Sequence, residues 1–148
     1  MRYSTKTAAA AHLLTNIIYF GDKENLTSDF LAASINTNPV IVRKIFQQLK
    51  EAGLITVRKG TGGASLAKDP ADISLLDIYV AVEDPEEPLF HIHNPNTKCP
   101  VGRNITDVLS SAFAKAQSTM EADLSHVSLK DIAADVCTRI KEEQTDQK

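Results

Sequence analysis

Along STKTAAAAHLLTNIIYF the apolar positions fall at 10, 13, 14, 17, 18 and 20. That spacing of three and four predicts a helix, which Gly21 and Asp22 end. LTSDFLAASI predicts a short second helix, with Thr27 as its cap and Leu26 and Leu31 placed to pack across its start. A third helix is predicted in NTNPVIVRKIFQQLKEAGL. Asn38 can cap it, and Pro39 suits the first turn because its missing N–H leaves no bond unmade. Val42, Ile45, Phe46 and Leu49 form its apolar stripe, leaving Val40, Arg43, Lys44 and Gln47 outside it, and Gly53 marks its end. LITVR and ASLA then read as the two strands of a hairpin.

The second half opens with DISLLDIYVAVE, a helix capped by Ser74. DPEEPLFHIHNPNTKCPVG carries four prolines and reads as irregular surface chain. From Arg103 to about Leu124 the pattern is that of a long amphipathic helix, with Ile105, Val108, Leu109, Ala112, Phe113, Ala116, Met120 and Leu124 recurring at threes and fours. SLKDIAADVCTRI is one more helix, with Cys137 on its apolar face and expected in the core, and KEEQTDQK reads as a frayed tail.

The glycines at the hairpin raise a chemical question, because KGTGG could cradle a phosphate. It lacks the G-x-x-x-x-G-K-[ST] spacing and stands between two strands, with no helix start behind it to receive a phosphate. It is therefore a hairpin tip, where glycine supplies positive φ. Glycine alone does not account for Arg58 and Lys59 at its base.

Helix, short helix, helix with a basic outer face, then a basic hairpin is the order of a winged helix-turn-helix. In that fold the third helix enters the major groove and the wing reaches the neighbouring backbone or minor groove. The fold class expected is mainly α with a small β-hairpin, a winged helix-turn-helix joined to a long C-terminal dimerisation helix. The divisions are residues 1–70 for DNA binding, 71–100 for a connecting helix and loop, 101–141 for dimerisation helices, and 142–148 for a flexible tail.

Charge supports a basic working half. Residues 1–68 hold nine Lys and Arg against four acids, a net of +5, and the remainder nets −8, although the whole chain is only −3. At 148 residues, 43% hydrophobic and 24% charged, the composition is that of an ordinary globular protein. No apolar run approaches the roughly 18 residues that cross a bilayer. Two cysteines, Cys99 and Cys137, make no disulfide framework, and a cytoplasmic location is expected.

LTSDFLAASINTNPVIVRKIFQQLKEAGLITVRKGTGGASLA, with L-x-x-A-G-L-[IV] leading into a wing R-x-G-x-G-G, resembles the Rrf2 family of bacterial winged-helix regulators. SLLDIYVAVE resembles the helix that follows in that family, and the likeness covers residues 1 to about 125, nearest to the YwnA-like members. The resemblance implies homodimers paired largely through the long helix. It also implies, in several members, an iron–sulfur cluster on C-x5-C-x5-C. Here the three positions are Glu87, His93 and Cys99, so two of three thiolates are missing and no cluster is expected.

The expected DNA contacts are Thr37, Asn38, Val40, Arg43 and Lys44 on the third helix, with Arg58, Lys59, Gly60, Thr61 and Gly62 in the wing. The alternative is that Asn38 is only a cap and Lys44 only a solvated charge. Ser4 and Lys6 match family positions near the DNA backbone. The expected dimer interface is Ile105, Val108, Leu109, Ala112, Phe113, Ala116 and Met120. Pairing would set two recognition helices about one DNA turn apart and require a near-palindromic operator.

His91, His93 and Cys99 are the sensor candidates, as zinc ligands or as a thiol switch on Cys99. His12 and His126 have no evident partner. No Ser-His-Asp, H-E-x-x-H or paired-carboxylate pattern occurs, so no enzyme is expected. The function expected is a homodimeric, sequence-specific repressor of transcription. Its rivals are a winged-helix module that binds an acidic protein and a metal- or thiol-responsive regulator. Neither residues nor spacing identify an effector.

Overall fold

A computed structural model describes residues 4–60, 63–84 and 86–147. Helix α1 (Lys6–Phe20) is followed by a single 3-10 turn, Gly21–Lys23, then α2 (Ser28–Ile35) and α3 (Pro39–Glu51). The hairpin strands β1 (Ile55–Val57) and β2 (Ala64–Leu66) come next. A second 3-10 turn, Pro70–Asp72, leads into α4 (Leu75–Val82), α5 (Pro100–Ser125) and α6 (Leu129–Asp146).

The caps read from the sequence form. Thr27 accepts from the Phe30 N–H at 3.2 Å, and Leu26 and Leu31 are both buried at the start of α2. Asn38 Oδ1 accepts from the Val40 N–H at 2.8 Å. Ser74 and Asp77 close a reciprocal capping box. Between α2 and α3 the chain turns through Asn36 at φ 59°, the left-handed conformation that asparagine tolerates. The N–H of Thr37 reaches the Ala32 carbonyl there at 2.9 Å.

Leu13, Leu14 and Ile17 of α1 form one core with Leu31, with Val42, Ile45 and Leu49 of α3, and with Ile55, Ile78 and Val82. The antiparallel hairpin pairs Ile55 with Leu66, Thr56 with Ser65 and Val57 with Ala64. Leu129, at the start of α6, is fully buried in this same core. It is held by backbone bonds between two capping serines' neighbours: the Leu75 N–H donates to the Val127 carbonyl and the Leu129 N–H to the Ile73 carbonyl, both at 2.8 Å. The C-terminal helix is thereby fastened to the foot of the winged domain.

Four expectations are corrected. The long helix starts at Pro100, three residues before Arg103, because the proline fits its first turn. Residues 142–146 continue α6 rather than fraying. Cys137 is only half-buried, not core. Both unpaired histidines have partners: His12 Nε2 lies 3.2 Å from Ser34 Oγ, and His126 Nδ1 lies 2.6 Å from the Ala122 carbonyl.

Candidate nucleic-acid interface

Burying Val42, Ile45 and Leu49 against α1 and α2 fixes the rotation of α3 about its axis. The same rotation turns Asn38, Val40, Arg43, Lys44 and Gln47 outward, while Thr37 is half-buried at the turn. Val40 is 61% exposed, and Ile41 beside it is 48% exposed. Ile41 lies in the first turn of α3, the part of a recognition helix that meets base edges. The pattern of the sequence set Val40 outside the stripe but did not single out Ile41. The available signal was its position one residue ahead of the buried stripe.

Asn38 spends its side-chain oxygen on the cap, which leaves its NH₂ group for another acceptor. Gln47 is tied to Glu51 at 3.0 Å. Ser4 accepts from the Lys6 N–H at 3.2 Å, so it too has a local role at the start of α1. In the wing, Arg58, Lys59 and Gly60 are exposed. The Arg58 N–H donates to the Gly63 carbonyl at 2.9 Å, and Gly60 stands at φ 88°, where a side chain would be strained. Thr61 and Gly62 lie outside the described residues. Lys6, Arg43, Lys44, Arg58 and Lys59 form no ion pair among the described residues, so their charges face solvent unneutralised.

The sensor candidates are not gathered into one group. Among the described residues no three His, Cys, Asp or Glu side chains stand close enough to hold a metal ion. His91 instead approaches Glu87 at 4.0 Å. Cys99 occupies the cap position of α5, fully exposed. The Gly102 N–H first, and then the Val101 N–H, hold its thiol below the ordinary pKa, although no hydrogen bond closes at the cap. Phe90 stacks on Phe113 of α5 with ring centroids 4.7 Å apart, which pins this loop to the long helix.

Helix α5 has no buried residue over its 26 positions. Ile105, Leu109, Phe113, Met120 and Leu124 are half-buried; Val108, Ala112 and Ala116 are exposed, Val108 by 63%. The stripe read from the sequence therefore exists as one largely uncovered face.

An outward basic recognition helix beside a basic wing defines a winged-helix, DNA-binding regulator of transcription. Residues 3–135 match the Rrf2 family, described as "Iron-dependent Transcriptional regulator", and the chain belongs to that family. It is 48% identical over 130 residues to YwnA of Bacillus subtilis (strain 168), provisionally named an HTH-type transcriptional regulator. That match covers 87% of this chain and 95% of YwnA. A solved structure provisionally described as a DNA-binding protein is 43% identical, with a TM-score of 0.71 over 86% of this chain and 97% of that one. IscR of T. potens shares the fold at 21% identity, with a TM-score of 0.66 over 92% and 88% of the two chains.

The family description names iron, and iron–sulfur clusters are held by thiolates. Glu87, His93 and Cys99 supply one thiol between them, so the residues present do not fit that group.

Proposed function

We propose that this regulator acts as a cytoplasmic homodimer that represses transcription by occupying a near-palindromic operator, without an iron–sulfur cluster and without catalysing a reaction. The observation that carries the reading is α5, whose apolar stripe is nowhere fully buried along 26 residues and leaves Val108, Ala112 and Ala116 exposed. A two-fold pairing of such helices would remove that surface from water and set the two α3 helices side by side. Arg43 and the NH₂ of Asn38 then have base edges within their chemistry, Val40 and Ile41 have thymine methyl groups, and Lys6, Lys44, Arg58 and Lys59 have phosphates. That these five cations have no partner charge among the described residues supports this division of labour.

A second reading is favoured by one observation. Cys99 is exposed at the start of α5 with a lowered pKa, so oxidation there would act on the helix that pairs the protomers.

The test of the first reading is selection of bound DNA from a random pool by wild type and Arg43→Ala. A palindromic motif that the variant recovers weakly or not at all is the expected result. Binding without any motif, abolished by salt, would overturn it and favour a protein partner for the basic face.

A further inference from the structure

Helices α1 and α6 pack against each other and leave a solvent-open groove of about 550 Å³ along their seam. One wall is a stripe of α6, Ile132, Val136 and Ile140, whose spacing of four puts all three on one face. The other wall is α1, which contributes the short side chains of Ala8 and Ala11. The groove is open to solvent along the rim formed by Ala8, His12, Ser34 and Val136, and its volume lies in the range of small-molecule sites. Tyr19 adds an aromatic surface at the far end of α1.

Besides the hydroxyls of Thr15, which donates to the Ala11 carbonyl at 2.8 Å, and of Tyr19, the polar part of the lining is a chain of hydrogen bonds. Asn16, only 7% exposed, donates from Nδ2 to Ser34 Oγ at 2.9 Å, and Ser34 Oγ meets His12 Nε2 at 3.2 Å. No Asp, Glu, Lys or Arg is among the described lining residues. An ionised ligand would lose its water there without gaining a counter-charge.

We propose that this groove binds a neutral, largely apolar small molecule, aromatic in its body, with one hydrogen-bonding oxygen directed at His12 and Ser34. A phenol has that chemistry. Ser34 lies in the last turn of α2, two residues before the left-handed Asn36 and four before the cap of α3. The opposite wall belongs to α6, which follows directly on the long helix α5. An occupant that bridges α1, α2 and α6 therefore fixes how the recognition helix sits against the C-terminal helices, and shifts operator affinity by its preference for one arrangement. This second step rests on the regulator reading; the binding step does not.

The binding step is tested with 2-naphthol, followed by its own fluorescence, on full-length wild type, Val136→Trp and His12→Ala. Saturable binding of one molecule per chain is expected, at least tenfold weaker in Val136→Trp, whose indole fills the groove from a partly exposed position, and weaker also in His12→Ala. Ala8→Phe, filling from the opposite rim, serves if the tryptophan variant does not fold. No saturable binding to wild type, or equal binding by the filled variants, overturns the site. Conversion of Val136→Trp from dimer to monomer in sedimentation also overturns it, because a second copy would then be the occupant. The coupling is read separately, as operator affinity with and without saturating 2-naphthol. No change in that affinity overturns the coupling and leaves the DNA-binding reading intact.

Discussion

Single residues at the interface serve two masters, and substitutions can separate them. Asn38 caps α3 through its oxygen and faces outward with its amide nitrogen. Asn38→Ala removes the cap and is expected to lower stability by about 1 kcal/mol. Asn38→Asp keeps a good cap and favours the positive end of the helix, yet sets a carboxylate towards DNA phosphates. Thermal unfolding should therefore find Asn38→Asp as stable as wild type, while operator titration finds it at least tenfold weaker. If both variants lost DNA binding only in proportion to stability, Asn38 would be a cap and nothing more. Cys99 offers a test in pH. The Gly102 and Val101 N–H groups favour its thiolate, so its titration is displaced towards lower pH and more thiolate is present at neutrality. Alkylation of Cys99 by iodoacetamide, mapped by peptide mass, should begin at lower pH than that of a free cysteine peptide. Equal onsets would remove the basis for a thiol response.

At the scale of elements, what was legible in the sequence depended on whether the cause was local. Caps at Thr27, Asn38 and Ser74, the stripe of α3 and the two strands of the hairpin were readable, since each is decided within a few residues. The end of α6 was not, because residues 141–146 are polar all round and show no apolar period, while the turns before them already supply a nucleus to extend. The His12–Ser34 contact and the Leu75–Val127 and Leu129–Ile73 bonds join distant segments and leave no mark in local spacing. The exposed face of α5 was readable as a stripe, but its lack of cover was a matter of where every other helix went. Gly102 shows the same limit. A glycine within a helix is ordinarily improved by alanine, by roughly 0.5–1 kcal/mol. Here the added Cβ would overlap the Asn96 carbonyl, whose oxygen accepts the Cys99 N–H at 3.2 Å. Gly102→Ala is expected to lower the melting temperature and to move the alkylation onset of Cys99 to higher pH, closer to that of a free cysteine peptide, since the loop must move off the start of α5. A raised melting temperature would show that the loop is not docked as described.

For the molecule as a whole, the question is how a chain of net charge −3 holds a polyanion. The answer lies in segregation: the first 68 residues net +5, and the acidic remainder is carried mainly by α4, α5, α6 and the loop between α4 and α5. Affinity then depends on a few local phosphate contacts, and each contact releases counterions, so that the slope of log K against log salt measures their number at about 0.9 per phosphate. One phosphate for each of Lys6, Arg43, Lys44, Arg58 and Lys59 gives a slope of about 4.5 in magnitude for one protomer and about 9 for two. Lys44→Gln deletes one of them at an exposed position where the fold asks nothing of the charge. On a palindromic operator its slope should be shallower than that of wild type by about 1.8, because both protomers lose a contact, and on an isolated half-site by about 0.9. The same variant thus counts the phosphate contacts and the protomers together. A decrease of about 0.9 on both DNAs would mean that one protomer binds alone, and an unchanged slope would take Lys44 off the phosphate backbone.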